Sequence, residues 1–371
     1  MERLPSAVDV FVVGGGPAGL ATAIAARRRG LSVLVADGTL PPIDKACGEG
    51  LMPDGVEALH RIGVTIPADQ AQPFRGIRFV NGDQRAEALF PRGSAYGIRR
   101  IALHQVLVEN AAHAGASLAW RAPVTAIDAD TVGVAGQHVR ARWIVGADGG
   151  ASRVRHWAGL DAPRKVRARF AARRHYRVAP WTDFMELHWG HGTQIYVTAV
   201  GSSEVCVAAI ADTPHVHVDS VLAGFPNLSA RLKDAEYASA ERGAITVNRR
   251  LRRVVRGRVA LVGDASAGVD AITGEGLCLA FRQADLLADC LAAGDLARYQ
   301  AGHHKLVERP ALMARLMLLI GNHDGLRRRT MRVFASSPNA FARMLAMHVG
   351  AASPAECVSS GISLGWQLLR A

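Results

Sequence analysis

The chain has 371 residues, 49% hydrophobic and 20% charged, a balance that fits a globular protein with a sizeable core and excludes a disordered one. Its formal charge is +12, and only four of its 44 basic residues are lysine (Lys45, Lys165, Lys233 and Lys305). Such an arginine excess suits an anionic cofactor or an anionic membrane surface; without an aromatic–basic recognition motif, no nucleic-acid partner is expected.

Five scattered cysteines (Cys47, Cys206, Cys278, Cys290 and Cys357) form no CxxC pair, so neither a disulfide framework nor a metal site is expected. Apolar stretches are broken by glycine or charge within roughly 12 residues, short of the roughly 20 that span a bilayer. The apolar N-terminal run leads into a glycine turn rather than a cleavage site. A cytoplasmic location is therefore expected, with peripheral membrane contact as an open alternative.

Residues 8 to 14 (VDVFVVG) read as a strand apolar on both faces, as in a parallel sheet. Residues 18 to 29 read as a helix stopped by Gly30, and 32 to 36 (SVLVA) as a second strand. Between the first strand and the helix lies Gly14-Gly15-Gly16-Pro17-Ala18-Gly19, a G-x-G-x-x-G turn. Gly14 permits the tight turn, Gly16 lets the backbone approach a pyrophosphate, and Gly19 lets helix and strand pack closely. Pro17 and Ala18 open the helix, whose free N–H groups suit phosphates. Asp37 follows the second strand, where its carboxylate can accept from a ribose hydroxyl. The competing reading is a glycine turn with no ligand.

A loop rich in Gly and Pro runs from Gly38 to Gly50 and contains Cys47, either a thiol that contacts substrate or a small residue in a tight turn. Residues 101 to 115 read as an amphipathic helix and 142 to 147 as a buried strand. Asp148 and Gly149 follow that strand, with Ser152 and Arg155 beyond; Asp148 could equally cap an Asx turn. Residues 184 to 212 alternate around a Gly190-His191-Gly192 turn and read as antiparallel strands. There Gln194, Tyr196 and Thr198 share one face, and Ile195, Val197 and Ala199 the other. Either face could line a substrate pocket, and the polar one could simply be solvated. A strand at 258 to 265 presents Asp264 at its C-terminal end, where open α/β sheets bind ligands; a helix cap is the alternative. The turn Gly274-Glu275-Gly276 opens a helix to about residue 293. His303 and His304 point about 100° apart on a helix, make a poor metal pair and read as surface histidines. Residues 296 to 348 are helical and basic. There the run Leu312 to Ile320, followed by Arg327, Arg328, Arg329 and Arg332, could touch a membrane, cover a lipophilic pocket or pack into the core.

The expected fold is α/β: a Rossmann-like, glutathione-reductase-like FAD-binding domain with an inserted antiparallel β-sheet substrate domain and C-terminal helices. The FAD-binding domain would comprise 1–72, 96–165 and 245–295, the substrate domain 73–95 and 166–244, and the helical region 296–371.

The G-x-G-x-x-G, Asp148-Gly149 and Gly263-Asp264 motifs, in this order, resemble those of class A flavin monooxygenases with the para-hydroxybenzoate hydroxylase type of fold. The segment Lys45-Ala46-Cys47-Gly48-Glu49-Gly50-Leu51-Met52-Pro53 and the Gly274-Glu275-Gly276 turn are also similar to the geranylgeranyl reductase branch. The resemblance covers about residues 8 to 295. It implies FAD, with Gly14, Gly16 and Gly19 at the pyrophosphate, Asp37 at the ribose and Arg100, from an R-x-x-L element, at the phosphates. It further implies Asp148, Gly149, Ser152 and Arg155 for FAD and NAD(P)H. Asp264 would bond ribityl or ribose hydroxyls, and the turn at Gly274, Glu275 and Gly276 would place N–H groups by the flavin. Ala271 departs from the proline common in relatives. With one nucleotide fingerprint, NADPH or NADH would bind in a surface groove, or electrons would come from a partner. The implied activity is monooxygenation of an aromatic or lipophilic small molecule through a flavin C4a-hydroperoxide. A prenyl or alkene reductase is the nearest alternative, and a non-enzymatic escort-type scaffold for prenylated proteins the next. Cys47 is the one catalytic candidate, and no general base is assigned.

Overall fold

The structure, a computed structural model, describes residues 3–161 and 168–353 and parts of 355–366. Strands β1 (Ala7–Val13) and β2 (Val33–Ala36) are rich in valine, with Phe11 and Leu34 among them, and Val10 to Val13 and Val33 to Ala36 are buried on both faces. Helix α1 (Pro17–Arg28) joins them. Pro17 sits in its first turn, where a missing N–H costs nothing.

The parallel strands lie in the spatial order Ser117–Ala119, β2, β1, Gln137–Gly146, Val259–Leu261. In chain order this is 3-2-1-4-5, the dinucleotide-binding arrangement, with the direction of winding reversing between β1 and Gln137–Gly146. A ligand crevice therefore opens at the C-terminal ends of these two strands, where Gly14 and Asp148 stand. An antiparallel hairpin, Val124–Asp128 with Thr131–Val134, extends Gln137–Gly146 on one side.

A second sheet of eight strands forms the other layer. Its spine is antiparallel: Ala168–Arg177 pairs with Glu204–Ala211, which pairs with Thr193–Gly201, which pairs with Phe184–Trp189. Gly76–Asn81 joins in parallel and Gln84–Leu89 closes that edge. Arg242–Val247 pairs on the opposite side of Ala168–Arg177, so this sheet runs past residue 244, where the substrate domain is expected to end. The expected boundary near residue 165, like Lys165 itself, lies outside the described residues.

The two faces of Thr193–Gly201 are both buried. Ile195 and Val197 pack with Val218, Leu222 and Leu228 from two short helices. Gln194, Tyr196 and Thr198 face the FAD-binding layer and are not solvated.

Three helices, Leu296–Asn322, Asp324–Ser336 and Pro338–His348, follow the two sheets in the chain. The last two pad the Gln84–Leu89 edge, with Phe341 stacked on Phe334 at 4.8 Å and 4.5 Å from Phe79. The apolar run divides: Met313, Met317 and Ile320 enter the core, whereas Leu312 and Leu319 are 61% and 48% exposed. Arg327 does not join a basic surface. It is buried, donating to Asn81, the Gly321 carbonyl and Asp324.

His303 also departs from its surface reading. It is 3% exposed, with Nε2 2.9 Å from Ser266 Oγ and 3.1 Å from Gln283 Nε2. Burial, helped by neighbouring His304, drives its pKa down to about 3. In the unfolded chain it titrates near 6.5, so stability is full above that pH and is lost as the pH falls toward 3. About 2 kcal/mol should disappear between pH ~6.5 and ~5 from this group alone. Denaturant melts at the two pH values should show that loss, and His303→Gln should flatten it; an unchanged pH slope in that variant would remove the assignment.

Candidate cofactor and substrate site

A cavity of about 1000 Å³ runs from the C-terminal ends of β1 and β2 to the inner face of the second sheet. Gly14, Gly16, Pro17, Ala18, Asp37, Arg100, Asp148, Gly149, Asp264, Gly274 and Gly276 all line it, so most of the site residues expected from sequence converge. A smaller cleft of about 580 Å³ beside Arg99 and Gly201 holds none of them.

The phosphate loop divides its glycines between fold and ligand. Gly14 has φ +108°, and a Cβ there would lie 2.5 Å from the Ala147 carbonyl oxygen. A Cβ on Gly19 would sit 2.0 Å from the Gly14 oxygen, so Gly19 serves packing and does not line the cavity. A Cβ on Gly16 meets nothing within 4 Å: the space before it is open to a ligand. Asp37 Oδ2 accepts from Gly15 N at 2.7 Å, while Oδ1 accepts from the Thr39 N–H and hydroxyl. From below, His104 Nε2 lies 2.8 Å from the Gly15 carbonyl. Burial holds that imidazole below its usual range, so the neutral ring donates to the loop. Sequence reasoning missed His104, and Trp120, against which a Cβ on Gly15 would clash.

Ser152 caps the helix Arg153–Trp157, its hydroxyl accepting from Arg155 N at 2.9 Å, and Asp148 adds to it, its Oδ2 accepting from Arg153 N at 2.7 Å and Val154 N at 3.1 Å. Its Oδ1 is buried without a protein partner, and so is Arg100 Nε. An orphaned acceptor and an orphaned cationic donor in the lining of one cavity, which also holds the open Gly16, fit a group that carries both hydroxyls and phosphates. FAD is such a group, and a scaffold that held no nucleotide would have no use for them.

Three expectations are corrected. Arg155 does not reach the cavity: it is 4% exposed, and its nitrogens bond Asp161 at 2.7 Å and the carbonyls of Ala265 at 3.1 Å and Gly150 at 3.0 Å. It ties two cavity turns together, while Arg153 and Arg249 present the cations instead. Glu275 turns its side chain away, toward Arg309 at 3.4 Å and His348 at 3.5 Å, where burial raises its pKa. The Gly274 N–H donates to the Ala271 carbonyl, leaving Gly276 to open the 18-residue helix to Ala293. The first N–H groups of that helix lack intrahelical partners and carry the positive end of its dipole. Asp264 is held by Lys45, 3.0 Å away on the cavity rim.

The far wall comes from the second sheet and is largely apolar, with Ala171, Met185, Ala208 and Ile210, and carries the buried, unpartnered hydroxyl of Thr246. Its ionisable groups are tied to protein. Tyr196 donates to the Ile272 carbonyl. Arg173 bonds Asp44 and approaches Glu49 at 3.8 Å. Glu49 accepts from Arg100 N at 2.8 Å and faces His175 Nε2 at 2.6 Å. Glu49, His175 and Cys206 place one donor atom each within 4.8 Å of one another. Ligands of one tetrahedral ion stand about 3.3 Å apart, so the 2.6 Å contact beside the Arg173 guanidinium is a hydrogen-bonded charge network rather than a cation's cage. Cys47 lines the cavity between them, its sulfur accepting from Glu49 N at 3.3 Å. Burial pushes its thiol up, with Arg100 opposing.

Fold and site together define a flavin-dependent oxidoreductase. The sequence matches the FAD-binding domain family over residues 7–301, and the chain belongs to that family. Among its relatives, menaquinone reductase of Mycobacterium tuberculosis is 29% identical, covering 78% of this chain and 78% of that protein. Ubiquinone hydroxylase UbiL of Rhodospirillum rubrum is 27% identical, covering 91% and 84%. The crystal structure of a flavoprotein/dehydrogenase from Cytophaga hutchinsonii shares the fold, with a TM-score of 0.79 over 93% of both chains at 19% identity.

Proposed function

We propose that the protein reduces a carbon–carbon double bond in a lipophilic, prenyl-type small molecule, with NADPH or NADH as reductant. The observation that carries this reading is the far wall of the cavity, where Met185, Ala208 and Ile210 make an apolar surface, Tyr196 is tied to a backbone carbonyl and Thr246 presents an unpartnered hydroxyl, with the Cys47 thiol on the adjoining loop. FAD, when bound, supplies the hydride it takes from the nicotinamide. Apolar side chains hold the double bond and exclude water. Burial keeps Cys47 in the thiol form, so Sγ can give a proton to the second alkene carbon as hydride reaches the first. The resulting thiolate faces Arg100 and Arg173 and regains its proton from solvent. The relatives named for menaquinone reduction support a lipophilic, prenylated substrate.

Hydroxylation, the activity the monooxygenase resemblance implies, is supported by the likeness to two ubiquinone hydroxylases, which spans 91% and 81% of the chain. Incubation with prenylquinones and NAD(P)H, under ¹⁸O₂ or strict anaerobiosis, separates the two by product mass. Two added hydrogens without oxygen are expected; an oxygen-dependent product carrying ¹⁸O would overturn reduction. Cys47→Ser should lower kcat by about 10²–10⁴-fold with FAD retained, the usual worth of a positioned acid.

A further inference from the structure

We infer that the outward faces of the helices Leu296–Asn322 and Asp324–Ser336 form a docking surface for an anionic lipid bilayer. Between Pro310 and Val349 the sequence carries six arginines and a single acid, Asp324. Arg327 takes up that acid and is itself buried, pinned by Asn81 and the Gly321 carbonyl. This anchor fixes the rotation of the second helix, and Arg328, Arg329 and Arg332 consequently face solvent. On the first helix the same logic holds with apolar anchors. Met313, Met317 and Ile320 are drawn into the core, which leaves Leu312, Arg315 and Leu319 outside.

Leu312, Arg315 and Leu319 recur at i, i+3 and i+7 and share one helix face. Arg328, Arg329 and Arg332 fall within about a third of a turn on the next helix, which follows after the single residue His323. Among the described residues none of these four arginines forms an ion pair or a hydrogen bond with a side chain. Unpaired cations beside exposed leucines match the two layers of a bilayer surface: phosphate headgroups take the guanidinium groups, and the acyl boundary takes the leucines. A polyanion such as duplex DNA would satisfy the arginines and leave the leucines in water. The first helix also touches the turn Ala271–Thr273, whose Ala271 lines the cavity, so docking would set the cavity near the bilayer. This surface stands apart from the reaction proposed above, because vesicle binding is read with no substrate present.

The experiment is co-sedimentation of the FAD-loaded protein with phosphatidylcholine vesicles, with and without phosphatidylglycerol. Binding should require phosphatidylglycerol and should fade as salt rises from about 0.02 M to about 0.5 M, where the screening length falls to a few ångströms. Each arginine contributes about fivefold near an anionic surface. The combined variant Arg315→Glu, Arg328→Glu, Arg329→Glu and Arg332→Glu should therefore lose at least about a hundredfold. Leu312→Ser with Leu319→Ser should weaken binding further at high salt than at low. Arg85→Glu with Arg140→Glu, exposed arginines on other elements, should change little. FAD content and thermal melts of each variant show that it is folded. No binding to phosphatidylglycerol vesicles at low salt overturns the proposal, as does undiminished binding by the four-arginine variant. Tight capture by duplex DNA with no effect of the leucine changes would reassign the surface to a polyanion and equally overturn it.

Discussion

Gly16→Val should give a folded, colourless protein. The Gly16 backbone is extended, at φ −72° and ψ 176°, a conformation any residue adopts. No atom lies within 4 Å of a Cβ built there, so valine fits the apoprotein. The isopropyl group instead takes the space before the loop where a pyrophosphate would meet the backbone N–H groups. FAD affinity should fall roughly a hundredfold or more, about 3 kcal/mol, while the apoprotein melts within a few degrees of wild type. Gly19→Val makes the opposite control. Its Cβ would lie 2.0 Å from the Gly14 oxygen, so that variant should fail to fold rather than fail to bind. Flavin absorbance per chain, with circular dichroism, reads both. Stoichiometric FAD on Gly16→Val would remove the cofactor from this loop.

The contrast between those glycines shows what the sequence makes legible. The loop, the strand before it and the helix after it are adjacent in the chain, and their roles follow from local geometry. The winding of the parallel sheet is likewise written in runs such as VDVFVVG, apolar on both faces. Residues brought in from afar are not. His104 reaches Gly15 across 89 positions, and His175 meets Glu49 across 126. Period-two alternation correctly assigned the faces of the 193–201 strand, yet polarity could not say which faced inward, because an inner face that borders a ligand site can be polar. The strand Ala168–Arg177 repeats the lesson: Arg169, Arg173 and His175 share a buried face. Arg155 shows the converse limit. A motif places an arginine near a nucleotide, but only the assembled turns reveal that its donors are already taken.

Glu49 carries the second large expected effect. Its carboxylate is buried with both oxygens engaged, by Arg100 N and by His175. His175 Nε2 faces the Glu49 carboxylate, an acceptor, while its Nδ1 edge lies 2.8 Å from the Ser239 hydroxyl with the guanidinium groups of Arg173 and Arg99 at 3.2 Å and 3.4 Å. Arg173 and Arg99 keep other anions, Asp44 and Glu204, but Glu49→Ala removes the carboxylate that His175 faces, and losing one partner of a buried pair costs about 3–5 kcal/mol. Glu49→Gln keeps the shape but presents either an amide donor to a donor or an oxygen without charge, and should cost about 1–3 kcal/mol. Glu49 also sits at φ 57°, a region where a side chain costs about 1–2 kcal/mol, so Glu49→Gly should be no worse than Glu49→Ala although it removes more. The damage should travel. Glu49 accepts from Arg100 at the start of the helix Arg100–His113, and that helix carries His104 to the underside of the phosphate loop. FAD affinity should therefore fall in step with stability, although His104 and not Glu49 touches the loop. Denaturant melts of the single variants, and of a Glu49→Gln, His175→Gln cycle with a coupling of at least about 1 kcal/mol, read the network. If Glu49→Ala melted within about 0.5 kcal/mol of wild type, the range of an ordinary surface change, the carboxylate would have no structural role and the path from Glu49 to the flavin loop would be wrong.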